Sequence, residues 1–108
     1  MCSSDLLVRA RQAQVDSLEQ SILAATNSLN GQEQALSDNL GHAATIERSG
    51  KAVPADLTKQ IETLRKSAES LRRYIERRKK EKVEAASKLE TDVAHYREAR
   101  ERRDSGQL

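Results

Sequence analysis

Few of the 108 residues are of types that do covalent or metal chemistry, and their spacing points away from it. His42 and His95 stand on opposite sides of the only proline, so they read as rim or surface residues and not as a ligand pair. Ser49, Gly50 and Lys51 lack the glycine spacing of a phosphate-binding loop and follow no strand, which makes them a turn. Serine and aspartate are scattered without the orienting partners that a nucleophilic triad requires. Cys2 has no second cysteine to pair with, as befits a reducing compartment. The expectation is a chain with no catalytic residues, no cofactor and no metal. What remains is the chemistry of charge, concentrated in RRYIERRKKEK from Arg72 to Lys82, where seven of eleven residues are basic and two are acidic.

The elements that carry this run follow from composition. Charged residues make up 33%, Phe and Trp are absent, and only Tyr74 and Tyr96 supply aromatic bulk. Fourteen alanines stand among the apolar residues, so a deep globular core is not expected. The richness in Ala, Glu, Lys and Arg favours helices over strands. No apolar run approaches the roughly 20 residues that span a bilayer. The amino end has no basic, apolar, small-residue order of a leader, and a soluble cytoplasmic protein is expected. Net charge is +2 overall, with residues 1 to 49 at −3 and residues 50 to 108 at +5.

Apolar residues recur three and four apart in two long stretches. Val8, Val15, Leu18, Ile22, Ala25, Leu29, Leu36, Ala43 and Ile46 hold one heptad register as a and d positions, with Arg11, Gln32 and Asn39 as polar d residues. Gly31 and Gly41 predict a bend rather than a loop, because the register survives them. ERSGKAVPAD, with Gly50 and Pro54, predicts a turn near 49–55. From Asp56 the period resumes with Leu57, Ile61, Leu64, Ala68, Leu71 and Ile75, and later with Ala85, Leu89, Tyr96 and Ala99. In that register Arg78 falls at d and Lys82 at a, where each must extend its charge outward along its methylene stem. The expected fold is all-α. A second break at 80–92, where Ser87 and Glu90 form a capping box, predicts an elongated antiparallel three-helix bundle in a single domain over 1–108. The runner-up is a two-helix coiled-coil hairpin. Leu23, Leu40, Val83 and Val93, off the seams, favour the third helix.

Between Arg65 and Lys82 the local net charge is +6. One reading is a solvated helix surface paired with its own glutamates. Nucleic acid is disfavoured, since stacking aromatics beyond Tyr74 are missing and the cations project round the helix instead of along one stripe. The third reading is an acidic protein partner, which the loosened seam at Arg78 and Lys82 would meet with apolar area around Ile22, Leu23 and Tyr74. Arg72, Arg73, Tyr74, Arg77 and Arg78 are the candidate contacts on this physical ground.

DLTKQIETLRKS, Asp56 to Ser67, and HYREARERRDS, His95 to Ser105, together with the order long helix, polar turn, long helix, resemble the tubulin-binding cofactor A family. The resemblance implies a monomeric three-helix bundle without cofactor or turnover. Such a protein holds β-tubulin folding intermediates in the cytoplasm, in association with the cytoskeleton, during heterodimer assembly. By matching position it adds Gln60, Leu64, Tyr96, Arg97 and Arg100 to the partner-binding candidates. The alternative from another class is a structural or secretion-associated coiled-coil adaptor. Neither reading involves a small-molecule substrate or a membrane.

Overall fold

The computed structural model describes residues 3–106, with side chains from Asp5 onward; Cys2 lies outside them. Two helices account for almost all of this chain, α1 over Ser3–Arg48 and α2 over Ala55–Asp104, and no strand is present among the described residues. The fold class is all-α, as expected. The third helix is not there: α2 runs without interruption through 80–92. The reason is local. That segment contains neither Gly nor Pro, and its Glu, Lys, Ala and Leu residues all favour continuation. Ser87 does not start a helix; it is exposed, and its carbonyl accepts a bond from Thr91 Oγ1 at 3.3 Å.

The turn is built as expected. Gly50 adopts φ +82°, which only a residue without Cβ tolerates cheaply. Its N–H donates to Glu47 O at 3.0 Å and that of Lys51 to Ile46 O at 3.3 Å, the paired bonds of a Schellman ending. Pro54 then caps α2, its carbonyl accepting from the N–H groups of Leu57 and Thr58. Asp56 in the first turn and Arg102 and Arg103 in the last complement the helix dipole.

The chain divides into two compact units, Leu23–Glu76 and a second made of Met1–Ile22 with Arg77–Leu108. In the turn-containing unit the helices pair antiparallel, with Glu33 opposite Arg72 at 3.8 Å and Asn39 sharing a groove with Leu64. Its buried residues are Ala25, Leu57, Ala68 and Ile75. In the other unit the order is also antiparallel: Arg11 meets Asp92 and Glu19 meets Lys82. Val15, Leu18 and Ala85 form its core, with Leu89 packed against them.

The heptad register is borne out position by position. Every a and d residue from Val8 to Ile46 and from Leu57 to Tyr96 is buried or half-buried, polar ones included. Ala99, expected to continue the second seam, is exposed. Gly31 and Gly41 do not interrupt α1, and nothing lies within 4 Å of the Cβ that either would gain as alanine. Gly31→Ala and Gly41→Ala should therefore each raise the unfolding free energy by about 1 kcal/mol. Gly50→Ala should lower it by about 1–2 kcal/mol through left-handed strain. Urea unfolding followed by circular dichroism reads both signs.

Candidate docking surface

The surface begins with what the seam cannot hold. Arg11 and Asp92 are both d residues, and they meet at 3.2 Å from opposite helices with side chains 25% and 12% exposed. Each supplies the other's counter-charge where an apolar pair would ordinarily sit. Lys82, at a, turns outward and pairs with Glu19 at 3.5 Å, its side chain 40% exposed. Arg78, at d, reaches Glu81 one turn on at 2.7 Å. Both cations thus extend out of the seam as their stems require. Gln32, a d residue in the turn-containing unit, keeps a buried Oε1 without a donor.

The register also reorganises the basic run. Of the nine basic residues from Arg65 to Lys82, six fall on the outward e and f positions: Arg65, Lys66, Arg72, Arg73, Lys79 and Lys80. The b position between those two rows is glutamate in three successive heptads, Glu62, Glu69 and Glu76. Glutamate followed three and four residues later by cations is the spacing of intrahelical pairs. Glu62 and Lys66 form one at 3.6 Å. Six of the nine cations form a stripe with a row of carboxylates down its middle, while Arg77, Arg78 and Lys82 stand at c, d and a round the rest of the helix. A polyphosphate backbone laid on that stripe would meet glutamate at every heptad.

At the fourth heptad the pattern lapses. Position b becomes Val83, e becomes Ala86 and f becomes Ser87. Val83 is 70% exposed, the most exposed of the large hydrophobic residues among those described, while its neighbour Lys82 occupies the seam. Ile22, Lys79, Lys82, Val83 and Ala86 line an open groove of about 410 Å³ there. A second groove, in the turn-containing unit, is lined by Asn39, Lys59, Gln60, Thr63 and Leu64.

The residues singled out from sequence fall into different settings. Gln60 and Leu64 share the second groove, although Leu64 is a half-buried seam residue. Arg72, Arg73 and Tyr74 belong to the turn-containing unit; Arg72 pairs with Glu33, Arg73 is exposed and Tyr74 is half-buried. Arg77, Arg78, Tyr96, Arg97 and Arg100 belong to the other unit. Arg77, Arg97 and Arg100 are exposed, whereas Tyr96 is a half-buried seam residue. Ile22 likewise belongs to one unit, and Leu23 and Tyr74 to the other. The sequence reading missed Asp92 as the partner of Arg11. The signal was there, since antiparallel heptads counted from the turn place the two d positions opposite each other.

His42 and His95 are exposed and lie in different units. Among the described residues no three His, Cys, Asp or Glu side chains form a metal-holding group, and no helix is long and apolar enough to cross a membrane. No family model, curated protein or solved structure matches the chain.

The Arg11–Asp92 pair has a measurable signature. Asp92→Leu alone should cost about 1–3 kcal/mol, because it leaves a half-buried guanidinium without its counter-charge. The double change Arg11→Leu with Asp92→Leu should recover the parental stability or exceed it. A double-mutant cycle in urea checks this.

Proposed function

We propose that the chain is a non-catalytic helical docking protein, in the manner of a coiled-coil adaptor, whose work is to cover and be covered by another protein. The observation that carries this is the thinness of its own packing. The buried hydrophobic residues are Val15, Leu18, Ala25, Leu57, Ala68, Ile75 and Ala85, three of them alanine, while Leu6, Leu7, Leu23, Leu40 and Val83 stay exposed. A helix pair that leaves large apolar groups in water gains stability when a partner removes them. Open grooves bordered by lysine, and a helix surface of interleaved charges, support binding and solubility more than turnover.

Urea unfolding tests the reading directly. The isolated chain should have an unfolding free energy of about 5 kcal/mol or less, at the foot of the range for native domains. A value above about 10 kcal/mol, with a midpoint independent of protein concentration, would mean that the chain lacks nothing a partner could add, and the reading would be wrong.

A β-tubulin folding cofactor is the second reading. It is supported by the resemblance of Asp56–Ser67 and His95–Ser105 to that family and by the exposure of Arg73, Arg77, Arg97 and Arg100. The three-helix bundle implied by that family is not what the described residues form, which is why the adaptor reading stands first. On the tubulin reading, a pull-down with purified tubulin at low salt recovers the β subunit. Arg73→Glu with Arg77→Glu then weakens capture by about 1–3 kcal/mol. Failure to recover tubulin removes this reading and leaves the first.

A further inference from the structure

Lys82 and Val83 stand in inverted order for a helix seam. In the three preceding heptads the a position is Ile61, Ala68 and Ile75, and the b position that follows is Glu62, Glu69 and Glu76. At the fourth, the cation is at a and the valine is at b. Exchanging the two residues would give an ordinary heptad, with an apolar group inward and a charge outward. As built, Lys82 holds its side chain 40% exposed against Glu19, and Val83 stands 70% exposed. Between them opens the groove lined by Ile22, Lys79, Lys82, Val83 and Ala86. The glutamate row at b stops at the same heptad, and among the described residues no ion pair joins a carboxylate to Lys79 or Lys80.

We infer that this groove is the docking site for an acidic amphipathic helix of another protein. The partner's apolar ridge would lie over Val83, Ala86 and Ile22, and its flanking carboxylates would meet Lys79 and Lys80. A helix suits the apolar strip, since Val83 and Ala86 are spaced three residues apart on one face. Acidity follows from charge complementarity, since the groove is lined by Lys79, which has no ion pair among the described residues, and by Lys82, which shares a half-exposed glutamate, with Lys80 exposed on the same helix. A second copy using the same face would bring its own Lys79, Lys80 and Lys82 against these, so like charges oppose that occupant. Nucleic acid offers the negative charge but no apolar ridge for Val83.

The inference rests on the docking reading proposed above and names the partner's chemistry. The test uses a fluorescent peptide of about three heptads with leucine at a and d and glutamate at e and g, whose charges keep it from pairing with itself, and a twin with lysine in place of glutamate. Anisotropy at low salt should rise for the glutamate peptide on titration with the full chain, fall as salt is added, and stay flat for the lysine twin. Val83→Lys, at an exposed position, should leave thermal unfolding unchanged and weaken binding by about tenfold or more. The exchange Lys82→Val with Val83→Lys should raise the unfolding midpoint while weakening binding to the same degree. The inference is overturned by no rise with the glutamate peptide, by equal binding of the lysine twin, or by undiminished binding of the Val83→Lys chain. Sedimentation revealing a dimer that Val83→Lys dissolves would place a second copy in the groove and overturn it as well. A chain of low intrinsic stability that ignores the glutamate peptide sinks this inference alone, because the docking reading is decided by the unfolding free energy.

Discussion

Two antiparallel helices can share only one line of contact, and in this chain that line is asked to carry small and polar residues along with apolar ones. Each a or d position meets a counterpart on the other helix, so whatever stands there is either packed, paired or pushed outward. Val15, Leu18, Ala85 and Leu89 show packing; Arg11 with Asp92 shows pairing; Lys82 and Arg78 show displacement toward solvent and a glutamate. The rest of the structure depends on how these three outcomes alternate. Where packing holds, the helices need nothing more. Where a cation is displaced, apolar area beside it is left open, and nothing else among the described residues closes it.

Charge on this protein therefore does two unlike jobs. On the outer face of α2 glutamate at b stands between cations at e and f for three heptads, and Glu62 forms an ion pair with Lys66 there. Such a face keeps a long helix soluble and contributes a few tenths of a kcal/mol per pair. Around Lys82 the same residue types serve an edge. Lys79 and Lys82 border an open groove, and Val83 stands where the three preceding heptads have glutamate.

The polar residues in the seam also limit alternatives. An arginine opposite an aspartate tolerates only one register, since a slip by a turn would leave both charges against apolar side chains. Gln32, with a buried oxygen that has no donor, costs stability without such a return within the described residues. Gly50 adds the geometric constraint at the turn, where its left-handed backbone ends α1 and sets the direction of the return.

Helical class, the two heptad registers, the turn at Gly50 and Pro54, and the outward reach of Arg78 and Lys82 were all legible in the residues, because each follows from local periodicity or from the backbone freedom of a single residue type. The third helix was not. A capping box at Ser87 and Glu90 and four off-seam hydrophobics argued for it, yet the good helix formers of 80–92, with no Gly or Pro among them, favour continuation, and the expected break is filled by unbroken α2. Which residues meet across the seam could be decided only by tertiary structure. Arg11 and Asp92 are far apart in sequence, and their pairing exists only once the turn fixes the antiparallel register. The same holds for the groove at Val83: sequence named the valine as off-seam, but its exposure depends on how Ile22 and Lys82 share the space between the helices, which no single helix contains.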